Sequence, residues 1–352
     1  MKILYATSIE EGVWRYINLF GKYSSLYKLL KDSAKAKQIS FLLKQAEEYY
    51  SSAKTSSILT RPVLLYYGML NLVKALILFK DKSFSAEQGL ELRHGIGRGN
   101  RKSKSLLTLS CSIGKKDKYV MVNLLKIATS DWFTVSAVIE GNAAKQSQIS
   151  SYTKQITAAI GKTFRASELF VLIPELQELL LETTNLLPRT IPISAIQFDQ
   201  IKKDNKLIIS NGLLWLRHNK DPKLLKLIKD YESKKEMKDW SLEKDLWDVR
   251  RYKLLKQAEN VSIPNIRESI FGEKFALFIS NKKELSEIVV HYLLAFIYGE
   301  VARYNPSIWC KFMETKVFET ELIESFFELS IIKFPLLILR EFRSDLIYFK
   351  QT

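Results

Sequence analysis

The longest apolar run in the chain is Arg61–Lys80, RPVLLYYGMLNLVKALILFK, where hydrophobic side chains recur on every side at the helical repeat. That pattern predicts a helix enclosed by protein, with Pro62 at its start, where the missing N–H is harmless. Arg61, Gly68, Asn71 and Ala75 share one narrow face that is small and polar, with Tyr67 and Lys74 to one side of it. Such a face lets a second helix approach closely or lines a pocket. A second apolar helix is predicted over Ile288–Arg303, where His291, Ala295, Gly299 and Ala302 form a stripe of small residues and Tyr304-Asn305-Pro306 stops the run. Residues 9–50 also read as helices, from the spacing of Val13, Ile17, Phe20, Leu26, Leu29 and Leu30 and then of Phe41, Leu42, Gln45, Ala46 and Tyr49. Residues 315–350 predict one or two more, with Pro335 between them.

Between these helices the pattern changes. After Lys80 the stretch DKSFSAEQGLELRHGIGRGNRKSK has four glycines and little apolar periodicity, which predicts a long loop. From Ser105 to Ser210 short strand candidates follow at Leu106–Ser112, Tyr119–Leu124, Phe133–Glu140, Ile193–Phe198 and Lys206–Ser210, around a helical stretch at Leu169–Leu187. From Asp221 lysine and acid alternate through DYESKKEMKDWSLEKDLWDVRRYKLLKQ, which predicts charged, partly exposed helices. The expected fold is therefore mainly α, a multi-helix bundle with a small mixed α/β middle subdomain. The expected parts are an N-terminal helical part (1–80), a basic loop with the mixed part (81–215), and a C-terminal helical part (216–352) that packs on the first. No repeat of solenoid period is visible.

Composition makes this a folded chain with an unusual charge. Its 352 residues are 47% apolar and 26% charged, ordinary for a globular protein, but the formal net charge is +16. Arg93–Lys118 alone holds eight Lys or Arg against Asp117, a local excess of +7. That points to an anionic partner such as RNA or DNA. The plain alternative is lysine spread over every solvated face. Only Cys111 and Cys310 are present, without metal-ligand or disulfide spacing, so a reducing cytoplasm is expected. The opening MKILYATSIEEGVW carries Glu10 and Glu11 where an export leader needs apolar residues. Val63–Phe79 approaches membrane-spanning length, but Asn71 and Lys74 interrupt it, and a buried helix in a soluble protein is the expectation, with no membrane partner.

The chemistry is thinner. Histidines occur only at 94, 218 and 291, and HExxH, Walker and GxSxG motifs are absent, so no metal and no cofactor is expected. Gly95-Ile96-Gly97-Arg98-Gly99 has the glycine density of a phosphate cradle without GxGxxG spacing. His94, beside Arg93 in that basic stretch, is the candidate catalytic group, since an imidazole among guanidinium groups can move protons while the cations hold a phosphodiester. It reads equally as a histidine that caps a turn. His291 reads as a hydrogen-bonded core histidine. At the end of the second apolar helix Arg303, Tyr304, Pro306 and Trp309 bring a cation, two aromatics and a chain break together, either a stacking and charge site or a packed helix end with Arg303 paired to Glu300. The candidate ligand-binding residues are Arg61, Asn71, Arg93, His94, Arg98, Arg101, Lys102, Arg303, Tyr304 and Trp309.

Three blocks, RPVLLYYGMLNLVKALIL at 61–78, Arg93-His94-Gly95, and HYLLAFIYGEVARYNPSIW at 291–309, resemble the bacterial YaaC-like protein family in residues, order and spacing. The resemblance spans most of the chain and implies an architecture without assigning an activity. The first block also resembles the core helix of HEPN domains, helical modules of toxin and phage-defence proteins. Active HEPN nucleases place an arginine ahead of a histidine with four to six residues between them. Here those positions before His94 are Glu87, Gln88 and Gly89, so the nuclease motif is not carried over.

Three classes of function follow. The first is a cytoplasmic binding protein in which Arg61, Asn71, His94 and Arg303 border a polar pocket and the basic stretch admits RNA or DNA, in a phage-defence or toxin-like setting. The second is a metal-independent ribonuclease or effector using His94 with Arg93 or Arg98. The third is a structural subunit that binds a partner protein such as an ATPase or a nuclease. Homo-oligomerisation stays open in all three.

Overall fold

The computed structural model describes residues 2–99, 105–128, 159–203, 206–217, 241–244, 251–257, 266–277, 285–343 and 347–351, with residues 222, 225, 226 and 229. The chain divides into two compact units. One comprises Met1–Ser130, Ala159–Leu169 and Leu285–Thr352, the other Asp131–Ala158 and Phe170–Glu284. The fold is mainly α, with the multi-helix bundle in the first unit and the mixed α/β part in the middle of the chain.

The first unit opens with β1 (Lys2–Ala6), α1 (Ile9–Phe20), α2 (Tyr23–Leu30), α3 (Ser33–Thr55) and α4 (Arg61–Lys80). The caps are written in the sequence: Ser8 accepts from the Glu11 N–H and Asp32 from the Lys35 N–H. α5 (Ala86–Glu91), β2 (Ile96–Arg98), β3 (Ser110–Ile113), α6 (Val120–Ile127), β4 (Thr163–Arg165) and the start of α7 (Ala166–Phe170) follow, and β2, β3 and β4 form an antiparallel sheet in that order. The second unit carries α8 (Gln177–Thr183) and the strands β5 (Thr190–Lys203), β6 (Lys206–Arg217), β7 (Ser241–Lys244), β8 (Arg251–Gln257), β9 (Ile266–Glu268) and β10 (Lys274–Leu277). They make one antiparallel sheet in the order β7-β8-β6-β5-β10-β9. The chain then returns to the first unit as α9 (Glu287–Tyr304), α10 (Pro306–Thr315), α11 (Val317–Arg343) and β11 (Ile347–Gln351), and β11 pairs in parallel with β1.

α4 is the axis of the first unit. Leu65, Met69, Leu72, Val73, Leu76 and Leu78 have no exposed surface, and α3, α9 and α11 pack around them. Each leucine so enclosed contributes roughly 2 kcal/mol of transfer free energy. α4 is long and apolar enough to cross a membrane, yet 72% of its most apolar window is buried by the protein itself. Its small face is where α3 sits. A Cβ on Gly68 would lie 2.7 Å from the Tyr50 ring, Asn71 Nδ2 donates to Gln45 Oε1 at 2.8 Å, and Arg61 donates to the Ala53 and Ser56 carbonyls at the end of α3. α9 meets α4 through its own small residue instead: a Cβ on Gly299 would lie 3.1 Å from the Pro62 carbonyl and 3.2 Å from Tyr66 Cβ.

Several expectations are corrected. Tyr119–Leu124 is not a strand, because residues 120–127 form α6, whose buried Val120, Met121, Leu124 and Leu125 keep helical spacing despite two valines. The charged stretch after Asp221 holds strands at β7 and β8 where helices were expected, since short segments of mixed charged and apolar residues satisfy both periods. The long loop after Lys80 contains α5, started by a capping box in which Ser85 and Gln88 each bond the other's backbone N–H. Leu169–Leu187 is not one helix; α7, the 3₁₀ turn Pro174–Leu176 and α8 share it. Pro335 does not divide the last helix but lies inside α11, where Phe334, Leu336 and Leu337, nearly sealed from solvent, hold the turn in place. The candidate strand Phe133–Glu140 lies outside the described residues.

Candidate functional site

α4, the segment after α5 and the end of α9 meet within the first unit and bring together Tyr66, Tyr67, His94, Arg98, Glu300, Arg303 and Tyr304. Tyr66 is 7% exposed, fixed by the stacked ring of Tyr292 at 5.7 Å and the edge of Phe296 at 5.6 Å. Its hydroxyl is hydrogen-bonded to His94 Nδ1. His94 is half-buried, because Gly95 turns the chain at φ +70° against Tyr119 and the His94 carbonyl accepts from the Met121 N–H. Burial, then Lys74 and Arg303, hold the imidazole below its ordinary range, so it is neutral near pH 7. Burial, then Tyr292, push the Tyr66 phenol far above its ordinary range, so it keeps its proton. Lys74, one side of α4, is also lowered by burial.

Two arginines close the cluster from different elements. Arg98, on β2, pairs with Glu300 at 2.7 Å and lies over the Tyr304 ring at 4.3 Å. Arg303 donates to the Tyr67 hydroxyl and sits 5.6 Å from the Tyr67 ring centre and 4.8 Å from that of Tyr304. Tyr49 of α3 stacks on Tyr67 from behind at 5.9 Å. Arg303 is exposed and has no carboxylate partner among the described residues; the anticipated Glu300–Arg303 pair is replaced by Glu300–Arg98.

The candidate residues thus separate. His94, Arg98, Arg303 and Tyr304 converge. Arg61 and Asn71 are engaged with α3, and Trp309, 1% exposed, donates to the Ile58 carbonyl at 3.2 Å. Arg93 is exposed and lines, with Lys118, Gln88, Glu91 and Phe84, a cleft of about 600 Å³. Arg101, Lys102 and His218 lie outside the described residues. His291 is fully buried, Nδ1 to Ser330 Oγ at 2.8 Å, in a polar seam between α9 and α11 where Lys333 meets Glu287 at 3.3 Å. The glycine-rich run is strand β2 and its turn, packed on β3. Among the described residues no group of three or more His, Cys, Asp or Glu is placed to hold a metal ion. Tyr66, Tyr67 and Glu300 are members that the sequence did not single out for this site; tyrosines inside an apolar helix look like core.

The chain is thus a mainly helical protein whose α bundle carries an aromatic-lined, cation-bearing cluster. The chain belongs to the YaaC-like protein family, whose model matches residues 19–342. No curated protein and no solved structure matches it.

Proposed function

We propose that this protein is a cytoplasmic binder of anionic ligands of nucleic-acid type, and that His94, Arg98, Arg303 and Tyr304 form the seat. The observation that carries the reading is Arg303: an exposed guanidinium held against the Tyr67 and Tyr304 rings, with no carboxylate to neutralise it among the described residues. A guanidinium so placed suits a phosphate, and an exposed tyrosine face suits a base. The +16 net charge and the +7 excess over Arg93–Lys118 support it by drawing polyanions to this side of the sequence.

The test is fluorescence anisotropy with labelled 12-nucleotide single-stranded RNA and DNA. Arg303→Glu is expected to weaken binding at least tenfold, the order of one or more charge-assisted contacts. Equal affinity of the variant and the parent would remove the reading.

A further inference from the structure

Resting on that reading of the cluster, we infer that His94 serves it as a neutral hydrogen-bond donor, locked in one tautomer by Tyr66, so that the ligand group seated there is an oxygen acceptor of phosphate or phosphodiester kind.

The argument is one of hydrogen-bond satisfaction. The Tyr66 hydroxyl has one hydrogen to give, and its neighbours are His94 Nδ1 and the hydroxyl of Tyr292. Were Nδ1 protonated and donating to the phenol oxygen, one phenolic hydrogen of the buried pair would have no acceptor: that of Tyr66, or, with Tyr66 donating to the neighbouring Tyr292 hydroxyl, that of Tyr292, which is fully buried and has no other partner among the described residues. An orphaned buried donor costs about 1–3 kcal/mol, whereas donation from Tyr66 to Nδ1 satisfies both groups. The single proton of the neutral ring then resides on Nε2, which makes no hydrogen bond among the described residues and is not sealed by them.

The surroundings keep a second proton away. The ring lies against Tyr66 of α4 at 5.5 Å, and the charges that act on it are Lys74 of α4 and Arg303 of α9. Lys74 and Arg303 both oppose a positive imidazole, and Glu300 is already engaged by Arg98. A neutral ring with its open nitrogen protonated gives a hydrogen bond and cannot take a proton there. That makes it a recognition group for an anion rather than a general base.

The tautomer is read first without any ligand, by ¹⁵N-edited NMR of the full chain, with the His94 signals assigned by their loss in His94→Gln. The expected result is a protonated Nε2, an unprotonated Nδ1 and a titration midpoint below the ordinary one. A protonated Nδ1, or titration near the ordinary pH of about 6.5, overturns the inference. Binding is then read with 12-nucleotide single-stranded RNA and, separately, with inorganic phosphate. His94→Ala is expected to lose about tenfold in affinity for at least one probe, and His94→Gln, whose amide N–H stands near the Nε2 position, to restore most of it. Tyr66→Phe frees Nδ1 to take a proton, so its affinity is expected to rise more steeply than the parent's as pH falls from 7.5 to 6; a Tyr66→Phe profile no steeper than the parent's in a folded variant overturns the locking role. RNA cleavage in EDTA that disappears in His94→Ala would make Nε2 a base and also overturns it. A ring in the expected tautomer that binds neither probe sinks the ligand reading of the cluster, not the tautomer.

Discussion

Glu300 parts the two arginines of the cluster: it neutralises Arg98 at 2.7 Å and leaves Arg303 to aromatic and hydroxyl contacts. Replacing Glu300 by Gln therefore frees a second cation. Affinity for single-stranded RNA at low salt is expected to rise roughly threefold or more, with the gain disappearing at high salt, read by anisotropy titrations. His94 gives a stability prediction whose sign follows from its lowered pKa. Below the ordinary value near 6.5 the unfolded ring binds a proton that the folded ring resists, so unfolding takes up protons and stability falls as pH drops from 6.5 toward the folded value. The urea midpoint is expected to decline less between pH 7.5 and pH 5.5 in His94→Gln than in the parent. At this scale the sequence showed half of the cluster. His94, Arg98, Arg303 and Tyr304 stood out as polar or charged residues at chain breaks. Tyr66 and Tyr67 did not, because their role depends on which side of α4 the segment around His94 crosses, and no local pattern specifies a contact between residues 28 apart.

At the scale of elements, the two apolar helices were legible because an unbroken run of buried side chains leaves a long, unambiguous signature. α6, β7 and β8 were not: eight-residue and shorter segments with valines or alternating charges satisfy both periods, and tertiary packing decides. The α9–α4 contact is set by Gly299. Gly299→Val would drive methyl groups into the Pro62 carbonyl and Tyr66, and is expected to cost about 1–3 kcal/mol in chemical denaturation and to disturb the Tyr66–His94 pair with it. The α9–α11 seam makes a contrasting prediction. Lys333→Met alone leaves Glu287, 2% exposed, facing Lys333 no longer, and is expected to cost roughly 3–5 kcal/mol; the double change Glu287→Gln with Lys333→Met is expected to recover much of that loss in the same denaturation assay.

For the whole molecule, the net charge of +16 matters through its distribution. If the Arg93–Lys118 stretch engages a phosphate backbone beside the cluster, the logarithm of RNA affinity falls linearly with the logarithm of salt concentration. Reversing Arg101 and Lys102 together is expected to lower that slope by about 1.4 and to weaken binding, as removal of two phosphate contacts from a single strand requires, while Arg98, held by Glu300, adds little to it. An unchanged slope would instead assign the excess charge to general solvation.

The first unit is assembled from both ends of the sequence, with the second unit's residues lying between. During synthesis α4 leaves the ribosome more than 200 residues before α9, its partner across Gly299, has been made. At ordinary elongation rates that is a wait of roughly 10–40 s for the most apolar segment of the chain. Nascent α4 must spend that interval covered only by elements already made, α3 and then α5 and α6, or by a chaperone, and slowing translation between α6 and α9 lengthens the protein's most vulnerable moment.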